Sequence, residues 1–149
     1  MYLTIQTVVG RITIKCNGDA VTNIYFEDEA PASITQSPEC PVLQKAATQL
    51  QEYFAGQRRI FDVPIAPIGT KFLQSIWQTM AKDLVYGTIT TYGELGPARA
   101  VGNANNKNPI PIIIPCHRVV GKNGKLTGFR WGLPVKEKLL ALESDDKHG

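Results

Sequence analysis

Apolar and polar positions alternate along the first 28 residues. "YLTIQTVVG" and "RITIKC" follow period two with Gly10 between them, and Asn17-Gly18 offers a tight turn before "AVTNIYFED". Strand-type alternation separated by turn residues predicts a three-strand antiparallel meander. Residues 29–41 hold three prolines and polar filler, which predicts a surface loop. From Pro41 the period becomes helical: Leu43, Ala46, Ala47, Leu50, Tyr53 and Phe54 fall on one stripe, and Gly56 ends it. "RRIFDVPIA" then reads as extended chain.

A second helical period begins after Gly69. Thr70 is placed to cap a helix carrying Phe72, Leu73, Ile76, Trp77 and Met80 on one face. Tyr86-Gly87 turns the chain into a short strand, "TITTY". Thr91 and Glu94 have capping-box spacing, yet Gly96-Pro97 cuts off the helix they would start. Pro97 suits the first turn of another short helix, "ARAVGNAN", and residues 105–109 read as a polar loop. The apolar run "NPIPIIIP" reads as a strand, residues 121–128 as a hairpin-like stretch, and the last helix runs from Pro134 to about Glu143. The tail "SDDKHG" is expected to fray. The pattern predicts an α/β (α+β) fold. A small meander-plus-helix lobe, residues 1–68, precedes a mostly helical lobe, residues 69–149.

Composition narrows the class. The 149 residues are 43% hydrophobic and 19% charged, ordinary values for a soluble globular chain. No apolar run approaches a membrane span, and "MYLTIQTVVG" lacks the features of a signal peptide, so the expected compartment is the cytoplasm. Three cysteines without a C-x-x-C pair, and only two histidines, argue against a zinc site. Charge is uneven. Residues 1–70 carry five bases against seven acids, and residues 71–149 carry eleven against six. Eight bases lie between Arg99 and Lys138, opposed only by Glu137. A solvated basic face and a polyanion-binding face, nucleic acid above all, both fit this balance.

The basic stretch surrounds "PCHRV", where an apolar run ends on Cys116, His117 and Arg118. A thiol acts as a nucleophile only when ionised, and the adjacent imidazole and guanidinium would favour that. A buried inert cysteine also fits, because neighbours in an extended segment point to opposite faces. In the last helix Val135, Leu139 and Glu143 follow at i, i+4 and i+8, with Leu140 beside them. Glu143 therefore projects from the leucine stripe, where a carboxylate needs a partner. An imidazole from "CHR" would serve, giving an acid, an orienting base and a nucleophile. A solvated Glu in the last turn fits the spacing equally well.

"PCHRV" resembles the signature of the O6-alkylguanine-DNA alkyltransferases, also called methylated-DNA–protein-cysteine methyltransferases. "GTKFLQSIWQTM", "YGTITTYGEL", "ARAVGNA", "KNPIPIIIPCHRVVGKNGKLTGF" and "GLPVKEKLLALE" resemble family segments in family order. The meander and "LQEYFAGQRRIFDVPI" resemble the family's small ribonuclease-H-like N-terminal lobe. The resemblance implies direct-reversal DNA repair in one turnover. A methyl or other alkyl group on O6 of guanine (also O4 of thymine) moves from a flipped base to cysteine, without a cofactor or metal. It implies Cys116 as alkyl acceptor, His117 as the base that takes the thiol proton through a water, Glu143 as its orienting carboxylate, and Asn108 as a brace for the active-site turn. Tyr92 would meet the flipped base and a phosphate. Arg99 would fill the gap left in the stack, and Arg118 would brace the loop. Backbone near Cys116, Val119, Phe129 and Arg130 would read the guanine edge, and Trp131 would narrow the pocket toward methyl groups. The expected partner is double-stranded DNA containing alkylated guanine, bound through the minor groove by a monomer.

One departure stands out. The family's winged helix-turn-helix has a longer first helix than "TYGEL", and here only Gly96-Pro97 separates it from "ARAVG". About two helical turns are missing between Leu95 and Ala98. The shortening predicts weakened duplex binding, with Arg99 or Tyr92 displaced. Two other readings remain open on the sequence: a lesion-binding protein with weakened or lost transfer, and a Cys-His-Glu hydrolase with turnover.

Overall fold

The structure is a computed structural model that describes residues 1–126 and 128–145. The frayed tail expected at the C-terminus falls mostly on residues 146–149, and Thr127 belongs to the expected hairpin; both lie outside the described residues. The chain divides into two units, Met1–Ile68 and Gly69–Gly149.

In the first unit, β1 (Tyr2–Thr7), β2 (Gly10–Cys16) and β3 (Val21–Phe26) form an antiparallel sheet in that order. The first turn is Val8-Val9, one step earlier than the sequence suggests, with Gly10 at φ 102° opening β2. At the second turn the Asn17 side-chain oxygen accepts from the amides of Asp19 and Ala20, both at 2.9 Å, and Gly18 takes φ 104°. Helix α1 (Pro41–Phe54) buries Leu43, Ala46, Ala47, Leu50 and Tyr53 against β1 and β2. The following extended segment lies along β3, with Val21 bonded to Pro64 and Ala66.

The second unit starts with α2 (Lys71–Asp83), capped by the Thr70 hydroxyl, which accepts from the Leu73 amide at 3.1 Å. Its buried stripe is Leu73, Trp77 and Met80. Phe72, expected on that stripe, is 55% exposed because it lies one position off the buried face. The Trp77 indole donates to Ala104 O at 2.9 Å, tying α2 to α4 (Ala98–Asn106). A Cβ on Gly69 would lie 2.7 Å from the Trp77 ring, so only glycine fits beneath it. Between these helices, β4 (Thr90–Thr91) leads directly into α3 (Tyr92–Leu95), a single turn closed by the Thr91–Glu94 capping box. Strand "TITTY" is thus two residues long. Helix α4 instead runs further than expected, taking Asn105 and Asn106 from the predicted loop.

The apolar run before Cys116 is not a strand. Ile114 N donates to Ile110 O at 2.9 Å, and Ile112 sits at φ 76°. This is a compact buried turn. Pro109, Pro111 and Pro115 lack the donors a ladder needs, and the run folds back on itself. After a 3-10 turn at Cys116–Arg118, β5 (Val119–Val120) pairs in parallel with β4, Thr90 opposite Val119. Helix α5 (Leu133–Asp145) closes the unit.

Candidate active site

Three elements bring the sequence-predicted residues together. The buried turn and the 3-10 turn carry Asn108, Cys116, His117 and Arg118, and α5 carries Glu143. All five are buried, with Asn108 and His117 at 0% exposure and Cys116 and Glu143 at 1%. Asn108 makes the turn: its amide donates to Ile114 O and its carbonyl accepts from Ile110 N, each at 2.9 Å. These bonds hold the β-branched Ile112 in a left-handed conformation that it would otherwise avoid.

Glu143 is held from two sides. His117 Nε2 lies 2.5 Å from Oε2, and Arg118 donates through Nε to Oε1 at 2.8 Å and through Nη2 to Oε2 at 3.1 Å. The remaining Arg118 reach ends on Leu84 O at 2.6 Å, so this guanidinium braces the site. Burial pushes the Glu143 carboxyl up, but the bonds and charges of His117 and Arg118 outweigh it and hold the group at about 2. A carboxylate only accepts, so Nε2 carries the ring proton and Nδ1 has the lone pair. Nδ1 is buried and has no hydrogen-bond partner among the described residues. Burial lowers the imidazole pKa against the upward pull of Glu143, keeping the ring neutral at pH 7 with a free base atom.

Burial pushes the Cys116 thiol up to about 11, opposed by Asn108 and by the charges of Lys136 and Arg130. At rest it is a thiol.

Two residues not read from the sequence complete the site. Lys136 is fully buried, donates to Val119 O at 2.7 Å and lies 5.8 Å from the Phe129 ring centre. The buried positions of α5 are Lys136, Leu139 and Glu143, spaced i, i+3 and i+7, whereas Val135 and Leu140 are half-buried. The inward stripe is thus offset from the one expected. A lysine in register with Leu139 was the signal. Asn105, on α4, donates from its side chain to Cys116 O at 3.4 Å.

The remaining candidates flank this core. Val119 is buried in β5, its carbonyl held by Lys136. Phe129 and Trp131 meet edge to face at 5.1 Å. Arg130 stacks on Trp131 at 5.0 Å and donates to Asn106 O and Asn108 O at 3.3 and 3.5 Å. Tyr92 opens α3, half-buried, where the β4–β5 pairing brings that helix to the motif, and Arg99 is exposed on α4. Neither is bonded to the buried core in the hydrogen bonds described. No group of three or more His, Cys, Asp or Glu could hold a metal ion, and no helix is long and apolar enough to cross a membrane, among the described residues.

The chain matches two family descriptions. "6-O-methylguanine DNA methyltransferase, ribonuclease-like domain" covers residues 1–67, and "6-O-methylguanine DNA methyltransferase, DNA binding domain" covers residues 71–145. A methylated-DNA–protein-cysteine methyltransferase of Methanosarcina acetivorans is 42% identical, over 95% of this chain and 97% of that one. The Haemophilus influenzae protein of the same name is also 42% identical, over 95% and 85%. The alignment with the Methanosarcina protein spans 154 positions, more than this chain has residues, so the relative carries insertions that this chain lacks. The crystal structure of Mycobacterium tuberculosis OGT in complex with DNA superposes with a TM-score of 0.89 at 39% identity, covering 97% of this chain and 93% of that one. Two domain matches spanning nearly every residue, and relatives of this identity along the whole length, place the chain in the 6-O-methylguanine DNA methyltransferase family.

Proposed function

We propose that the protein binds DNA and repairs it by direct reversal, moving a methyl or other alkyl group from O6 of guanine, and from O4 of thymine, to Cys116. The observation that carries this reading is the base atom His117 Nδ1, left with its lone pair in a buried ring oriented by Glu143, next to the Cys116 turn.

The steps balance. The Cys116 sulfur attacks the alkyl carbon, the S–C bond forms, the C–O6 bond breaks and its electrons pass to guanine. The thiol proton goes to His117 Nδ1 across a water, and the Tyr92 hydroxyl donates to a guanine ring nitrogen. Glu143 favours the imidazolium that results, while Arg118 keeps Glu143 ionised throughout. The thioether is stable, so each molecule acts once. The target atom is unreachable inside the stack, so the base is flipped out through the minor groove, with Arg99 filling the gap. Carbonyls at Cys116 and Val119 and the backbone near Phe129 and Arg130 read the guanine edge. Trp131 narrows the pocket and favours methyl over benzyl. The protein acts as a monomer in the cytoplasm.

Mass spectrometry after incubation with duplex DNA containing O6-methylguanine tests the reading. The tryptic peptide Asn108–Arg118 should gain one methylene, in one equivalent per protein, and Cys116→Ala should abolish transfer. Many equivalents of released product would mark a hydrolase, and binding without transfer a lesion-recognition protein.

A further inference from the structure

Outside the active site, a second pair of nucleophilic side chains meets in the first unit. Cys16, the last residue of β2, and Cys40, the residue before α1, bring their sulfurs to 3.7 Å. Both are free thiols, at 2% and 6% exposure. Cys40 lies shallow, between exposed Glu39 and exposed Pro41.

The two sulfurs differ in kind. Cys40 faces the first-turn amides of α1. Those of Leu43 and Val42, together with the Cys16 thiol, hold its pKa below the usual thiol range, although no cap hydrogen bond closes. Burial, and the neighbouring Cys40, push Cys16 up. One sulfur ionises more readily than an ordinary thiol and the other beside it less so, the division of labour that thiol oxidation requires. At Cys116 burial outweighs the help of Asn108, Lys136 and Arg130, so it is more deeply enclosed than Cys40 and harder to ionise.

We infer that Cys16 and Cys40 form an oxidation site, at which a hydroperoxide closes an intramolecular disulfide before it consumes Cys116. The Cys40 thiolate attacks the peroxide, taking one oxygen to become a sulfenic acid while hydroxide leaves and accepts the Cys40 proton. Cys16 then attacks the Cys40 sulfur. The S–S bond forms, the S–O bond breaks, and the oxygen leaves as water with the Cys16 proton. Two thiols and one hydrogen peroxide yield one disulfide and two waters. The sulfurs must close from 3.7 Å to the roughly 2.05 Å of a bond. The chain before Cys40 is irregular: residues 30–40 form no helix or strand beyond an isolated bridge to Tyr2, and the bonds of Gln36, Ser37 and Pro38 leave residues 30–35 to take up that shift. In a protein that acts once, the pair spares the acceptor thiol. The order of oxidation is measurable whether or not Cys116 accepts alkyl groups.

The test uses the full chain, titrated with hydrogen peroxide, quenched with N-ethylmaleimide in denaturant and digested. No lysine or arginine separates residues 16 and 45, so one tryptic peptide holds both cysteines. This peptide should lose the mass of two hydrogens and take up maleimide only after reduction. Cleavage after Glu27 or Glu29 should leave its halves joined. At the same peroxide dose the Asn108–Arg118 peptide should still be fully labelled. In Cys16→Ala, Cys40 should be trapped as a sulfenic acid that dimedone captures. In Cys40→Ser, Cys16 should oxidise at least tenfold more slowly, and methyl transfer to Cys116 should be unchanged in both variants. Oxidation of Cys116 first, sulfinic acid on Cys40 beside a labelled Cys16, or equal rates in Cys40→Ser would each overturn the inference.

Discussion

His117 shows how a single ring is given a job by its neighbours. The Glu143 carboxylate fixes the proton on Nε2, Arg118 holds that carboxylate in place, and burial keeps the ring neutral against its pull. Cys116 waits beside it as a thiol, with a pKa near 11. At pH 7 about one molecule in ten thousand then carries the thiolate. Alkylation of Cys116 by iodoacetamide without DNA should therefore be slow and rise about tenfold per pH unit above neutrality; a rate flat from pH 7 to about 9 would contradict the assignment. Replacing Glu143 with glutamine leaves the Arg118 cation buried and half-partnered. Glu143→Gln should lose about 3 kcal/mol in urea denaturation and slow single-turnover methyl transfer by roughly a hundredfold. The sequence pointed to Cys116, His117 and Glu143 because a motif and a helical stripe intersect there. Lys136 was hard to read because a lysine on a helix ordinarily faces water; its register with Leu139 was the one signal, and its burial against Val119 O shows the role.

Asn108 is the residue on which one whole element depends. Asn108→Ala would orphan Ile110 N, and leave Ile114 O with the Cys116 amide alone, inside a buried turn that already holds Ile112 at positive φ. The expected loss is about 1–3 kcal/mol, measured by chemical denaturation, with transfer falling further than in a variant of equal stability altered elsewhere in the unit. The meander and the long helices could be read directly, because their periods are set by one buried face each. The turn could not, since an apolar run of its length matches a buried strand, and its prolines bar a ladder without saying what replaces it. Gly96-Pro97 was legible as a break, and the structure gives it a one-turn α3 directly followed by α4.

Across the whole molecule, charge and acidity set the working range. Of the eight bases between Arg99 and Lys138, Arg118 and Lys136 are buried and engaged, which leaves six exposed. The slope of log affinity for duplex DNA against log salt should then be no steeper than about −5, and Arg99→Ala should reduce it by about one. The basic excess was plain in the sequence, but not which bases had been taken inside. His117, whose folded pKa is lowered from 6.5, and Glu143, lowered from 4.5 to about 2, both take up protons more readily when unfolded. Their contribution is complete above about pH 6.5 and is lost as acid drives the pH through the folded values, so urea midpoints should fall steadily from neutral pH to about pH 4. The second unit also carries its own optical readout. Trp77, sealed at 1% exposure under Gly69, emits from an apolar cage and will shift to the red only when the lobe opens. Trp131, half-exposed and stacked on Arg130, borders the base pocket in the proposed reading. The two tryptophans of the chain thus separate the signal of a base arriving from the signal of the fold coming apart, without any added dye.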